Sequence, residues 1–277
     1  MRKLLVLSGI FLLMIACKTV SITGRKQLNF IPNSQLFPAS FAQYDAFLKE
    51  HPVSQNKAQQ ERIAGIGRRL VKAVERYYKA NGWEDQLKGY DWEFNLVADS
   101  VKNAFCMPGG KVVYFEGLLD VTETDDEIAA VMGHEIAHAL ANHGAERMSQ
   151  MYMQNIGAIL TMLATQNAPR EEREKWLAIY GYGTTLGIIL PYSRKHESEA
   201  DKIGQILMAI AGYNPDAAVN VWVKMTRMAG AQPPEFLSTH PSHETRIRNL
   251  KKWAPEAKKI ARNFGVIFDD NSSTPAK

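Results

Sequence analysis

The sequence predicts a mainly α-helical protein with a small antiparallel β-sheet, an α+β fold. Apolar residues recur at helical spacing in several long segments, whereas one short segment, residues 103–115, has extended character on both sides of a Pro-Gly-Gly turn. Apolar residues make up 45% of the 277-residue chain, which is enough for the core of one domain. We find no tandem repeat.

The N-terminus is typical of a bacterial lipoprotein signal. Two basic residues precede the apolar run Leu4 to Ile15, which is too short to span a membrane, and Ala16-Cys17 follows. We therefore expect residues 1–16 to be a signal peptide and Cys17 to carry the lipid. An ordinary secretory peptide that is cleaved elsewhere is the alternative.

The lipid on Cys17 predicts a protein held at the membrane on the periplasmic side of the bacterial envelope. Lys18 stands where aspartate would favour retention at the inner membrane, so the outer membrane is the expected destination. Residues 17–55 are polar and rich in turn-forming residues, and we expect a lipidated tether that partly packs on the domain. Residues 56–268 form the predicted domain, and the polar tail 269–277 is expected to be disordered.

The first long element of chemical interest is a predicted helix over residues 125–143. Thr124 and Glu127 stand at capping-box spacing, and Gly144 offers a left-handed stop. The helix carries His134 and His138, which are neighbours on one helical face and can hold one zinc ion.

A second predicted helix follows Pro191 and ends near Gly212. Glu197 and Asp201 share one of its faces, so Glu197 can supply a third zinc ligand while Asp201 accepts the outer N–H of a ligand histidine. Glu199 lies on another side of the helical wheel and is the weaker ligand candidate.

Four ordered motifs carry a family resemblance: NAFCMPGGKVVYFEGLL, HEIAHALANHG, ESEAD and THPSHETRI. Together they resemble the zinc metallopeptidases grouped around the CAAX prenyl proteases, the HtpX heat-shock protease and the mitochondrial OMA peptidase. The resemblance implies a zincin-like metallopeptidase domain with one zinc ion, in which Glu197 is the third ligand. A metzincin site is excluded because Ala141 and Gly144 stand where that class needs glycine and histidine.

Two further sites have roles that the resemblance implies or leaves open. Asn103, Ala104 and Phe105 are expected to bind substrate backbone along an edge strand, with a purely structural hairpin as the alternative. His240 lies in a loop before a helical run, and we assign it a catalytic role. It could stabilise the oxyanion or lie near the fourth coordination place, and a surface histidine is the alternative.

The remaining histidines and the second cysteine have no assigned chemistry. His143 is interpreted as structural, whereas His51, His196 and His243 are expected in solvent or in capping positions. Cys106 has no predicted partner and is interpreted as a small strand hydrophobe.

The net charge and the apolar segments of the sequence indicate which classes of partner to expect. The formal charge of +4 includes the two basic residues of the signal, so the sequence lacks the excess of positive charge that is typical of nucleic-acid-binding proteins. Residues 151–165 and 176–192 are apolar and are expected to form a packed helical pair, whose contact with membrane stays open.

The sequence thus predicts a zinc endopeptidase. Zinc would polarise the scissile carbonyl and lower the pKa of a water molecule to about 7, and Glu135 would take that water's proton. The resemblance implies quality control in the envelope, with misfolded or unassembled proteins as substrates; the oligomeric state stays open. A zinc-stabilised chaperone or outer-membrane assembly factor is the main alternative, and a structural lipoprotein with a vestigial site is a third.

Overall fold

A computed structural model describes residues 17–185, 189–228, 235–240 and 244–268. The predicted signal peptide, the tail 269–277 and His243 lie outside the described residues.

The described chain is mainly helical, as predicted, with two short 3-10 helices at Glu84–Leu87 and Glu116–Asp120. Its helices are α1 (Asn33–Glu50), α2 (Lys57–Ala80), α3 (Asp125–Leu140), α4 (His143–Ala164), α5 (Arg170–Thr184), α6 (Leu190–Ile210), α7 (Ala217–Met228), α8 (Glu235–Thr239) and α9 (Glu244–Arg262). Its strands are β1 (Cys17–Thr19), β2 (Lys26–Leu28), β3 (Glu93–Val97), β4 (Ala104–Met107) and β5 (Lys111–Phe115).

The larger sheet has the order β3-β5-β4 and is mixed, which differs from the small antiparallel sheet expected from the sequence. β4 and β5 form the predicted antiparallel hairpin, with Ala104 opposite Tyr114, around Gly109 and Gly110 at φ 88° and 101°. β3 runs parallel to β5, with Glu93 opposite Lys111. Period-two patterning shows which residues face the core but carries no information on strand direction. The smaller sheet pairs β1 with β2 in antiparallel register.

Helix α3 lies at the centre of the core, between the larger sheet and α6. Thirteen of its 16 residues are buried, so it lacks the polar face of a surface helix. The predicted capping box is present, because the Thr124 hydroxyl accepts from the Glu127 N–H and the Glu127 carboxylate accepts from the Thr124 N–H. This cap fixes where the helix begins, and so fixes the rotation of the side chains that it carries.

Two glycines let α3 and α6 cross at close range. A Cβ atom on Gly204 would lie 2.9 Å from the backbone nitrogen of His134, and one on Gly133 would lie 3.1 Å from the carbonyl oxygen of Gly204. Only glycine allows backbones to approach so closely. The crossing places Glu197 and Asp201 of α6 beside the histidines of α3.

The predicted end of the zinc-motif helix is wrong by three residues. Helix α3 ends at Leu140, and the left-handed residue is Asn142 at φ 54°, so Gly144 lies inside α4. Asparagine tolerates this conformation better than other residues with a Cβ. His143 therefore starts a new helix and points its ring back toward α3.

The N-terminal segment, expected to be a tether that partly packs on the domain, is structured from Cys17 onward. Val20 is 4% exposed, and Tyr44 of α1 is fully buried against the larger sheet. The loop between β1 and β2 lies against α4 and α6, because Arg25 pairs with Glu146 of α4 and with Glu199 of α6.

Helices α4 and α5 form the expected helical pair, but much of its apolar surface faces outward. They pack through Gly157, where the Tyr180 ring fills the space of an absent Cβ. Between Arg147 and Arg170 the sequence has no charged residue. Within this pair, the large apolar side chains that are at least 49% exposed are Met151, Tyr152, Ile156, Ile159, Leu160, Met162, Leu163, Trp176, Ile179 and Tyr182. Among the described residues, no helix has both the length and the apolar character needed to cross a membrane.

Candidate metal centre

Four potential metal ligands converge where α3, α6 and the end of α8 meet. One ligand atom from each of His134, His138, Glu197 and His240 lies within 4.8 Å of the others. The first two come from α3 at i and i+4, the third comes from α6, and His240 directly follows α8. The structure therefore brings the three predicted zinc ligands together and adds His240 as a fourth donor.

The two histidines of α3 turn equivalent nitrogens toward the centre of this group. Their Nε2 atoms lie 3.0 Å apart, and the Glu197 carboxylate lies 3.3 Å from Nε2 of His134 and 3.5 Å from Nε2 of His138. Nδ1 of His134 points outward to Asp201 Oδ1 at 2.9 Å. A carboxylate at this nitrogen fixes the ring and leaves Nε2 as the donor to a metal.

Arg246 of α9 holds Asp201 and Glu197, a contact that the sequence did not reveal. Its Nη2 donates to Asp201 Oδ1 at 2.7 Å, and its Nη1 donates to Glu197 Oε2 at 3.2 Å. The guanidinium stacks on Trp222, with Cζ 3.3 Å from the ring centre. A signal was present, since Arg246 shares the buried stripe of α9 with Leu250 and further apolar residues at helical spacing.

Glu135 lies beside the ligand group with part of its carboxylate uncommitted. The side chain is 4% exposed, and its Oε1 accepts no hydrogen bond from the described residues. Burial raises the pKa of Glu135 to about 8. A buried carboxylate with a free oxygen is costly unless it faces a cation or a reacting molecule.

The Glu197 carboxylate is held in its ionised form. Burial alone would raise the pKa of Glu197, but the hydrogen bond and positive charge of His134, when its Nε2 is protonated, outweigh burial and bring the pKa to about 2. A metal ion at Nε2 would take the place of that proton. Two imidazole nitrogens and one such carboxylate are a donor set typical of catalytic zinc. The residues present therefore fit a zinc ion.

His240 faces both the ligand group and Glu135. Its Nε2 lies 3.5 Å from Glu135 Oε1, and its ring stacks on Phe236 with the centroids 4.4 Å apart. Burial lowers the pKa of His240 to about 3 against the opposing charge of Glu197, so the ring is neutral near pH 7. A neutral ring can bind a metal or donate a hydrogen bond.

A cleft of about 280 Å³ opens beside Glu135 and His138. The predicted substrate-binding residues Asn103, Ala104 and Phe105 line it, and β4 is an edge strand of the larger sheet. The carbonyl of Asn103 accepts from Phe115, which directs the odd-numbered residues of β4 toward β5. The backbones of Ala104 and Cys106 consequently face outward, and those of Asn103 and Phe105 are committed to the sheet.

The other predicted histidine positions differ in outcome. His51 follows the last residue of α1 and places Nδ1 3.1 Å from the Phe47 carbonyl, which agrees with a capping role. The expectation that His196 is a solvent or capping residue is wrong, because it is 1% exposed and its Nε2 lies 2.9 Å from Glu146. Sequence spacing could not show this, since the partner belongs to a different helix.

Glu199 and Cys106 remain outside the ligand group. The Glu199 carboxylate faces His143, Thr23 and Arg25, away from the metal ligands. Cys106 is half-buried in β4, and burial raises the pKa of its thiol well above the usual range. Its thiol is therefore protonated at neutral pH.

Comparison with known proteins identifies the family. Residues 57–254 match the model of peptidase family M48. The chain is 36% identical over 190 residues to the mitochondrial metalloendopeptidase OMA1 of Schizosaccharomyces pombe, covering 68% of this chain and 53% of the relative. The human mitochondrial metalloendopeptidase OMA1 is 30% identical over 251 residues, which cover 86% and 46%.

A bacterial relative is also found. The chain is 30% identical over 172 residues to the β-barrel assembly-enhancing protease of Escherichia coli, covering 59% of this chain and 34% of the relative. The matched region spans 53%, 35% and 55% of the length of the first three OMA1 relatives. The family model covers most of the chain, including α3 and α6. The resemblance predicted from the four motifs is thereby confirmed, and this chain belongs to peptidase family M48, a family of zinc metallopeptidases.

Proposed function

We propose that this protein is a zinc-dependent endopeptidase that degrades misfolded or unassembled proteins of the bacterial cell envelope. The observation that carries the proposal is Glu135, a buried carboxylate that lies between the zinc ligand group and an open cleft. Its Oε1 accepts no hydrogen bond from the described residues and lies 3.5 Å from His240 Nε2. A purely structural zinc site does not require such a carboxylate beside its ligands.

Each side chain of the site has a distinct role in the proposed peptide hydrolysis. His134, His138 and Glu197 would hold one zinc ion, with Asp201 orienting His134. When bound, zinc supplies Lewis acidity toward water and the scissile carbonyl. Glu135 accepts the proton of the attacking water and then delivers it to the leaving amine. Beside that cation, Glu135 would be ionised, as a general base must be.

Substrate would bind as an added strand on β4. The outward-facing carbonyls of Ala104 and Cys106 would accept hydrogen bonds from an extended peptide, with little dependence on its side chains. The N–H groups of these two residues already donate to Asn103 Oδ1 and to the Glu135 carboxylate. Broad selectivity of this kind suits unfolded substrates, whose exposed backbone is their common property.

The test is digestion of a permanently unfolded model protein by the purified chain, with and without a chelator. We expect cleavage in the wild type, loss on chelation with recovery on added zinc, and loss in Glu135→Gln at normal zinc content. Glu61→Gln serves as the control, since its side chain is 71% exposed on α2. A wild type that binds zinc but leaves the unfolded protein intact would overturn the proposal.

The membrane anchor is proposed from the sequence of the N-terminus. Cys17 is exposed at the start of β1, where an attached lipid has room. The Escherichia coli relative, by its name, acts in β-barrel assembly, which supports an outer-membrane location. In a Gram-negative host, Cys17→Ser should abolish labelling by a fatty-acid precursor and release the protein from the membrane fraction. A wild type that takes up no label would refute the anchor.

A second candidate function, client binding without cleavage, is favoured by the exposed apolar surface of the α4–α5 pair. Exposed patches of this kind mark binding surfaces. Suppression of client aggregation by Glu135→Gln, together with no cleavage by the wild type, would favour the chaperone. Cleavage by the wild type decides for the endopeptidase.

A further inference from the structure

A group of buried charged and aromatic side chains lies behind His138, outside the ligand set. Glu146 is 0% exposed, His143 and His196 are each 1% exposed, and Glu199 is 7% exposed. The fifth member, Arg25, comes from the loop between β1 and β2 and has a side chain that is 20% exposed. None of these five residues has a role in the proposed peptide hydrolysis.

The contacts form a chain that leads to the outer nitrogen of His138. Nδ1 of His138 lies 2.8 Å from Nδ1 of His143, and Nε2 of His143 lies 2.9 Å from Glu199 Oε2. Arg25 Nε donates to the same Glu199 oxygen at 2.7 Å, and the Thr23 hydroxyl donates to the other oxygen. Two residues, Glu199 and His143, therefore connect Arg25 to the metal ligand His138.

Donor and acceptor rules fix the tautomers along this chain. An ionised carboxylate only accepts, so Nε2 of His143 must carry the hydrogen that faces Glu199. The neutral His143 ring then has an acceptor at Nδ1, and His138 must donate from its own Nδ1. This leaves the lone pair of His138 at Nε2, the atom that faces Glu197 and His134.

Arg25 closes the arrangement into a ring of contacts. Its Nη1 and Nη2 donate to the two oxygens of Glu146 at 3.0 Å and 2.7 Å. Glu146 in turn holds His196, whose ring stacks on His143 with centroids 4.2 Å apart and planes 18° from parallel. Both the edge and the face of the His143 ring thus depend on carboxylates that Arg25 neutralises.

The two histidines of α3 are supported in equivalent ways. Nδ1 of His134 meets Asp201, which Arg246 holds, while Nδ1 of His138 meets His143, which Glu199 and Arg25 hold. The first arginine lies within the residues that match the family model, whereas Arg25 lies before their first residue, 57.

We propose that Arg25 of the N-terminal segment is a positioning residue for the metal ligand His138, acting through Glu199 and His143. The proposal rests on the zinc site of the proposed function. The segment between Cys17 and α1 would then help to hold the metal, in addition to connecting the domain to the proposed membrane anchor.

Zinc affinity is the first readout, measured by competition with a chromophoric chelator on the purified full chain. Arg25→Gln should weaken zinc binding by about ten- to a hundredfold, the usual range for loss of a residue that supports a ligand. Arg25→Lys keeps the charge and should recover most of the affinity. Arg69→Gln is the control. Arg69 also donates a hydrogen bond to a distant segment of the chain, at the Ala211 carbonyl, but it lies away from the ligand group.

Two further readouts separate positioning from general loss of stability. At saturating Co²⁺, the visible d–d spectrum of Arg25→Gln should differ from that of the wild type and of Arg69→Gln. In the Glu199→Gln background, Arg25→Gln should cause a smaller loss of zinc affinity than in the wild type, because the contact of Arg25 with Glu199 is already broken and only its route through Glu146 and His196 remains. The proposal is overturned if folded Arg25→Gln keeps wild-type zinc affinity and cobalt spectrum, or if the two losses add in full. A wild type that binds no zinc would instead overturn the proposed function.

Discussion

Asp201 shows how much a single carboxylate does at this site. It accepts from His134 and pairs with buried Arg246 at 2.7 Å. Asp201→Asn keeps the shape but removes the charge that both partners face. The same position therefore affects metal binding and folding together.

We expect Asp201→Asn to lower zinc affinity about ten- to a hundredfold. The free energy of unfolding should also fall, by about 3 kcal/mol, because Arg246 loses a buried partner. Chelator competition and urea unfolding measure the two effects. Asp216→Asn is the control, since Asp216 pairs with Lys258 at the surface with its side chain 51% exposed. Unchanged zinc affinity in Asp201→Asn would remove this residue from the support of His134.

His240 has two candidate roles with opposite consequences. If it occupies the fourth coordination place in a resting state, as its position in the ligand group favours, His240→Ala should raise basal cleavage and retain zinc. If it stabilises the oxyanion, the same change should lower turnover about a hundred- to a thousandfold. Turnover of an unfolded substrate at matched zinc content gives the sign. Wild-type turnover would leave His240 with neither role.

At the scale of elements, the crossing of α3 and α6 sets the spacing of the ligands. Gly204→Ala introduces a Cβ that would lie 2.9 Å from the His134 nitrogen, and neither backbone can yield without moving a ligand. We expect a loss of about 1–3 kcal/mol in the free energy of unfolding and weaker zinc binding. Chemical unfolding and metal titration test this expectation.

Gly181→Ala is the matched control, because its added Cβ meets nothing within 4 Å in α5. This change should be neutral or stabilise the protein by up to about 1 kcal/mol, since alanine favours helix over glycine. If Gly204→Ala behaves like Gly181→Ala, the close crossing is not what holds the ligand geometry.

Helix α3 and its pair of histidines could be predicted from the sequence because they depend on local chemistry. The capping box of Thr124 and Glu127 and the i, i+4 spacing of His134 and His138 depend on residues within one helix. Arg25 and Glu199 are separated by 174 positions, and no local period links them. The direction of β3 and the burial of His196 were hidden for the same reason, because both depend on partners distant in sequence.

At the scale of the whole molecule, Glu146 couples stability to pH. Burial alone would raise the pKa of Glu146, but hydrogen bonds from His196 and Arg25 outweigh it and bring the pKa to about 2 from its ordinary value of 4.5. The unfolded chain therefore binds this proton first as the pH falls. The stabilisation is complete above pH 4.5 and is lost as the pH falls toward 2.

This coupling predicts a pH-dependent difference between the wild type and Glu146→Gln. The wild type should be more stable by a constant margin above pH 4.5, and the margin should shrink as the pH falls toward 2. Urea unfolding at a series of pH values measures the margin. A margin independent of pH would show that Glu146 keeps the same pKa in the folded and unfolded states.

The α4–α5 pair has a consequence for how the molecule opens. From Met151 to Ala164, no residue of α4 is buried, and α5 has no buried residue. Helix ends that share so little with a core can unfold while the rest stays native. Amide hydrogens in the outer half of this pair should therefore exchange with deuterium long before those of α3. A protease added to the native protein should cut there first. Such a cut separates α3 from α6 in sequence, and we expect the two fragments to stay folded together around the zinc site.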